Sequence, residues 1–374
     1  MKGNKDSFSE FIKSYLQSRY KVIADKVFSQ SALLKYLEKK TKSANSGSKS
    51  RSSFANIYAI YVLVEDYINK GGIDGNYKNY DGAKFSDLLL RLHTLPFGEK
   101  MQNHALNNRL NEEFHKYFPL PNELPIIRDV KTTRYRINED LLIIKIEGES
   151  INIAEDIILI IKEYIKWKFN DLQVFLKKCE DLKNAVKDEE QLPVIDFIKE
   201  IMAPSADARL FEIASFCILK YFYCGQNILC GTSSDELKAE PLRLYKTGRT
   251  NANDGGIDFV MRPIGRFFQV TETLDFKKYF LDIEKIEHYP ISFVIKTEKT
   301  PEAIKTMLRD NALKDIGKPE AINDYMACIE EIINIPILLE RFNIAVKNGF
   351  LSAILDELVE QSKVEYNLNS QFTI

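Results

Sequence analysis

Cysteine is scarce, with five in 374 residues and no C-x-x-C pair among them. That spacing excludes a paired-thiol zinc site and a framework built from disulfides. Cys179, Cys217, Cys224, Cys230 and Cys328 are expected to be reduced, three of them as small apolar residues in helix or strand settings. A cytoplasmic protein is the expectation. Net charge is nearly absent as well: 52 Lys and Arg stand against 54 Asp and Glu. The whole molecule is therefore no histone-like polyanion binder, and any contact with nucleic acid must come from a local patch. No apolar run reaches membrane-spanning length, because the most apolar one, Asn152 to Lys162, is interrupted by charge too soon. The first residues enter an amphipathic segment without an apolar signal region. P-loop, Rossmann fingerprint, HExxH and GxSxG are all missing, so nucleotide hydrolysis is not expected. Histidine is rare too, and although His93, His104 and His115 recur every eleven residues, successive ones would lie about 16 Å apart along a helix. Pro96-Phe97-Gly98 also interrupts that helix, which excludes a shared metal site.

What is present is enough chain for one large domain or two to three smaller ones. Asp6 to Lys40 reads as two helices, with Phe8, Phe11, Ile12 and Tyr15 on one face and Leu33, Leu34 and Leu37 on another. Phe54 to Ile68 continues in helix, Asn69 to Ala83 is a polar loop, and helical periodicity returns from Phe85 to Leu95 and from His104 to Phe118. Pro119, Pro121 and Pro125 mark a boundary, after which residues 126 to 153 turn to strands and residues 154 to 202 to helix. Lys131, Arg134 and Arg136 lie in that strand region, and an exposed strand face accounts for them more simply than groove reading does. The expected divisions are a helical region at 1–120, a strand-and-helix connector at 121–203, a core at 204–300 and a helical region at 301–374.

Between Lys39 and Ser53 lie five basic residues, no acidic one, and many Ser and Asn. Lys42, Lys49 and Arg51 can neutralise phosphates and Ser48 can donate to their oxygens, which would suit a DNA backbone. A solvated linker has the same composition. The helix starting near Phe54 would turn its N-terminus toward the same phosphates.

The chemistry concentrates between Lys246 and Glu272. Asn253-Asp-Gly-Gly is a turn signal, Ile257 to Met261 a short strand that carries Asp258, and Ile264-Gly265 a second turn. Arg266 to Thr273 is the second strand of an antiparallel hairpin, and it carries Gln269. A carboxylate among Ile257, Phe259 and Val260 requires compensation if buried, for which a divalent cation would serve; alternatively Asp258 points to solvent. Upstream, Asp207 to Tyr223 is a helix with an apolar stripe and Glu212 beside it, Gly225 can end it, and Asn227 to Cys230 is a short strand. Leu274 to Glu287 is a charged helix, and Tyr289 to Lys296 the next strand of the sheet. Asn251-Ala-Asn-Asp-Gly-Gly looks like the start of a calcium loop, but Gly255 and Arg262 occupy positions that need acids, which excludes an EF-hand.

This order, with Gly-Gly-Ile-Asp-Phe-Val followed by Phe-Phe-Gln-Val-Thr-Glu, resembles the PD-(D/E)xK nuclease superfamily. Leu244 to Lys296 is most similar to type II restriction endonucleases of the HaeII kind. The resemblance implies an α/β (α+β) fold, a mixed sheet flanked by helices, with a mainly helical N-terminal region. It implies Mg²⁺-dependent hydrolysis of double-stranded DNA, with Asp258 binding the metal and Glu212 or Glu272 assisting. Gln269 takes the place of the usual second acid and would coordinate through its carbonyl or orient the attacking water. Where the superfamily has lysine this chain has Thr271, so either Lys246, Lys277 or Lys296 does that work, or Glu272 enters through a bulge in the strand. Arg249, Thr250 and Asn251 would contact phosphates or bases near the cut. Type II enzymes imply a homodimer on a two-fold symmetric site and a cognate DNA methyltransferase as genetic partner. A repair or structure-specific nuclease of the same fold, and a DNA-binding protein without catalysis, are the alternative readings.

Overall fold

The computed structural model describes residues 7–43, 50–99, 101–119, 124–187, 191–231, 233, 236–247 and 257–366. The chain is a mixed α/β protein in two compact units, residues 1–174 and residues 175–369, with the last five residues grouped with the first. The sequence divisions at 120, 203 and 300 do not coincide with this one, which falls at 174/175.

The first unit begins with helices α1 (Ser7–Tyr20), α2 (Ala24–Gln30) and α3 (Ala32–Ser43), three helices where the sequence suggested two. Helix α3 packs against α4 (Ser50–Asn69), whose residues 53 to 64 are buried without a break. That is what an all-round apolar helix requires. The Asn56 amide nitrogen donates to the Tyr36 hydroxyl (2.9 Å) and to Glu113 (2.8 Å), and Lys40 closes the cluster by pairing with Glu113, while Ser53 Oγ and Asn56 Oδ1 are buried without a partner. Then follow β1 (Ala83–Lys84), α5 (Phe85–Thr94), α6 (Leu110–Tyr117), β2 (Ile126–Asp129), β3 (Arg134–Ile137), β4 (Ile143–Ile146), β5 (Glu149–Asn152) and α7 (Ala154–Lys187), whose residues from Phe175 on belong to the second unit. Strands β1, β3 and β2 form one antiparallel sheet, β4 and β5 a separate hairpin. The Tyr15 and Tyr20 hydroxyls both donate to the fully buried Asp156, at 2.7 and 2.6 Å, which ties α1 to the first turn of α7. The expected strand region and the helices flanking it are therefore present.

The second unit contains α8 (Leu192–Met202), α9 (Ala208–Phe222), β6 (Asn227–Cys230), β7 (Lys238–Pro241), β8 (Arg243–Lys246), β9 (Phe259–Arg262), β10 (Arg266–Thr271), α10 (Phe276–Lys285), β11 (Ile291–Ile295), α11 (Pro301–Ile316), α12 (Pro319–Ala327), β12 (Ile329–Ile333), α13 (Ile335–Lys347) and α14 (Leu351–Tyr366). Its sheet runs β12-β11-β10-β9-β8. Strand β9 runs antiparallel to its neighbours β8 and β10, whereas β10, β11 and β12 are parallel, joined by crossovers through α10 and through α11 and α12. The expected hairpin is β9 and β10, turning through a cis Arg262–Pro263 bond and Gly265 at φ 67°. Every residue of β11 is buried, as a central parallel strand covered on both faces demands. One face packs Ile291, Phe293 and Ile295 against Phe276, Tyr279 and Ile283 of α10. The other lies under α9, with Phe259 5.3 Å from Phe216 and Phe268 6.4 Å from Tyr223. Residues 301–374 are not only helical, because β12 completes this sheet.

Candidate functional site

Strand direction gathers the charged residues at one edge of the five-stranded sheet. Strands β8, β10 and β11 end there and β9 begins there. The edge therefore carries Lys246 at the end of β8, Asp258 just before β9, Glu272 just after β10 and Lys296 just after β11. In sheets covered by helices, the carboxyl ends of parallel strands are where ligands bind.

Asp258 is buried, 8% exposed, so it does not point to solvent. Its backbone N–H donates to the Phe268 carbonyl of β10 (2.8 Å). The Asp258 Oδ2 accepts from the Val270 amide of β10 at 2.6 Å. Such a charge-assisted bond is short and strong. On the neighbouring strand, the Thr247 amide donates to the Asp258 carbonyl at 3.0 Å.

Helix α9 covers this edge. Asp207 caps it, accepting from the amides of Arg209 (2.9 Å) and Leu210 (3.3 Å), so the Glu212 position is fixed from the helix start. Glu212 Oε1 lies 3.4 Å from Lys246 Nζ, and both side chains are almost dry, 10% and 12% exposed. A second pair sits beside it: Lys296 Nζ donates to Glu272 Oε1 at 2.6 Å. The Lys296 side chain is 2% exposed, donates also to the Ala206 carbonyl ahead of α9, and lies 5.9 Å from the centre of the Phe211 ring. A buried ammonium is tolerable only with such partners. On α9 as well, burial pushes the Cys217 thiol up, leaving it a protonated core group. Cys179 and Cys328 are buried too, Cys230 is partly so, Cys224 is exposed, and none forms a disulfide.

Alternation along β10 divides the remaining candidates. Phe268, Val270 and Glu272 share the α9 face, whereas Phe267, Gln269 and Thr271 share the α10 face. Gln269 is buried there, its amide donating to the Val270 carbonyl (3.2 Å) and its Oε1 without a partner. Glu272 thus reaches the α9 side through ordinary strand alternation; the β10–β11 register is continuous up to Thr271 and Ile295, and no bulge in β10 is needed. Of the three lysines considered for the vacant role, Lys246 and Lys296 reach the edge, while Lys277 pairs on the surface with Asp315 (2.9 Å). Counting by two from Val270 would have found the Glu272 side from sequence. Nothing local signals the Ala206 carbonyl. His288 lies at the opposite end of β11, 3.3 Å from Glu284.

The proposed DNA contacts are less assembled. Lys42 lies in the last turn of α3, paired with Glu38 at 3.2 Å. Its neighbours are also engaged, Lys39 4.1 Å from the centre of the Tyr117 ring and Lys40 with Glu113. Arg51 belongs to α4, and Ser48, Lys49, Arg249, Thr250 and Asn251 lie outside the described residues.

Asp258, Glu212 and Glu272 supply the hard oxygen donors that suit Mg²⁺. Among the described residues no three His, Cys, Asp or Glu side chains converge closely enough to hold a metal ion, and Glu212 and Glu272 each face a lysine with which a cation would compete. Compared with known proteins, the chain matches no family model, no curated protein and no solved structure.

Proposed function

We propose that the chain is a Mg²⁺-dependent endonuclease of double-stranded DNA, a type II restriction enzyme built on a PD-(D/E)xK core. What supports the reading is one arrangement: helix α9, the Asp258 strand β9, the Gln269 strand β10, helix α10 and strand β11 follow in the expected chain order, although the expected strand Asn227–Cys230 pairs with β7 in a separate sheet and β8 lies beside β9 instead. Buried Asp258, with Glu212, Glu272 and two lysines, lies at the edge they share.

Asp258 and Glu272 would hold the cation, with Glu212 beside them. When bound, Mg²⁺ supplies charge stabilisation at the scissile phosphate and lowers the pKa of the attacking water. Lys296 does the work of the missing lysine, keeping Glu272 oriented and adding positive charge where a phosphate would develop negative charge. Lys246 orients Glu212 in the same way. Gln269, on the α10 face, contributes to strand packing rather than to the cation. Arg249 and Asn251 would meet the phosphates beside the cut, with Lys42 as a further DNA contact. The working form would be a homodimer, with a DNA methyltransferase encoded nearby protecting the host sites.

Asp258→Ala tests the assignment: cleavage is expected to be abolished while DNA affinity, measured by gel shift, is retained. Full cleavage by this variant would remove Asp258 from the mechanism. A second reading is favoured by the two lysine–carboxylate pairs, which leave two of the three acids already neutralised. It makes the chain a DNA-binding protein with an inactive site, and sequence-specific binding without cutting under any divalent cation would establish it.

A further inference from the structure

Sheet β1-β3-β2 of the first unit carries a set of arginines that the nuclease site does not use. Tyr135 and Ile137 of β3 turn into the core, so Arg134 and Arg136 share the outer face, opposite Asp129 and Ile127 of β2. Together with Arg128, Lys78 and Tyr80, and with the acids Asp81 and Asp129, they line an open groove of about 650 Å³ that holds four cationic side chains against two carboxylates.

Their bonding sets the chemistry. Arg134 donates to the Gly82 carbonyl (2.7 Å), Arg136 to the Tyr80 carbonyl (3.0 Å) and Arg128 to the Asn107 carbonyl (3.2 Å) and the Asn108 side chain. All these acceptors are neutral. Asp129, directly across from Arg134, is occupied by its own turn, accepting from the Lys131 amide (2.9 Å) and from the Thr132 amide (3.4 Å) and hydroxyl (2.8 Å), and those bonds hold its carboxyl below the usual range. None of the three arginines forms an ion pair among the described residues. Each guanidinium is therefore positioned by a neutral acceptor, and among the described residues none is hydrogen-bonded to a carboxylate. That is an arrangement for anions with several oxygens. The ribbon ends in an exposed turn with Val130 74% exposed and Lys131 beside it, a shape that fits along or into a duplex groove.

We propose that this groove binds the phosphodiester backbone of double-stranded DNA. The inference rests on the nucleic-acid partner proposed above. It assigns the main electrostatic contact to the β2–β3 ribbon rather than to Lys42, which the fold pairs with Glu38.

The test is fluorescence anisotropy of labelled duplex DNA with the full chain in EDTA, over ~50 to ~200 mM salt. Lys78→Gln/Arg128→Gln removes two charges and leaves the central strand β3 unchanged, and Arg134→Lys/Arg136→Lys keeps charge as a control for folding. The first variant is expected to bind at least ~10-fold more weakly, with a log–log salt slope smaller by about two, and the second to keep the wild-type slope. An unchanged slope in Lys78→Gln/Arg128→Gln overturns the proposal. So does loss of inorganic phosphate binding in that variant with DNA affinity intact, which would make the groove a free-phosphate site. Wild type that cuts DNA while the variant binds it normally refutes the groove alone. Groove-dependent binding without cutting in Mg²⁺ keeps the groove and refutes the nuclease reading.

Discussion

Removing the Lys296 ammonium while keeping its length, as Lys296→Met does, separates a structural from an incidental lysine. The side chain is 2% exposed and holds Glu272 and the Ala206 carbonyl, so the variant leaves a carboxylate 21% exposed without its cation and a carbonyl without its donor. Breaking a fully buried pair costs ~3–5 kcal/mol, and because Glu272 keeps some water, about 2–3 kcal/mol is expected here. The surrounding unit is of the size at which 1 kcal/mol shifts Tm by roughly 2–4 °C, so its transition should fall by about 4–12 °C in scanning calorimetry. Glu272→Gln, which keeps an acceptor for Lys296, should cost about 1 kcal/mol. The double variant Lys296→Met/Glu272→Gln should be less destabilised than the sum of the singles, because no charge is left stranded. A Tm for Lys296→Met within ~1 °C of wild type would refute the reasoning, since that is how an exposed surface pair behaves. If the lysine also serves cleavage, the double variant at a temperature where it is folded should remain inactive.

Three further outcomes follow from the same structure. Phe259→Ala empties a fully buried position against Phe216 and should cost ~3–5 kcal/mol, read by chemical denaturation; a loss below 1 kcal/mol would mean that α9 does not pack on this strand as described. Gly82→Ala places a Cβ 2.8 Å from the Tyr135 carbonyl at φ 107°, so it should destabilise the β1–β3 pairing by about 1–3 kcal/mol, and an unchanged melting curve would contradict that approach. Burial pushes the hydroxyls of Tyr15, Tyr61 and Tyr67 up to about 12 from an ordinary 10.0. The stability they contribute is full below pH 10 and is lost as pH rises toward 12, so circular dichroism melts should weaken steeply across that window; melts independent of pH there would exclude the linkage.

Much of the second unit was legible because its signals are local. Asp207 is a capping residue followed by an apolar stripe, and α9 runs as that predicts. The hairpin was marked by turn residues on both sides, and β11 by a β-branched and aromatic run. Strand β12 was not legible, because Ile-Glu-Glu-Ile-Ile has adjacent acids that break alternation. Those acids are explained only by distant partners, Glu331 lying 2.7 Å from Arg266 and bonding Arg341 as well. The basic segment from Lys39 misled for a related reason: composition read as loop, yet Lys39, Lys40 and Lys42 finish α3, and Glu113, which accepts Lys40, lies 73 residues away. At the site, Asp258 and Glu212 were found from chain order. The pairing of Lys296 with Glu272 was not, since it depends on which faces β10 and β11 present to α9.

The central claim is tested most directly by incubating the purified full chain with unmethylated phage DNA in Mg²⁺ and, in parallel, in EDTA, followed by gel electrophoresis. Discrete fragments in Mg²⁺, intact DNA in EDTA and intact DNA with Asp258→Ala under both conditions are the expected result. Intact DNA in every lane, or fragments that persist with Asp258→Ala, would contradict it.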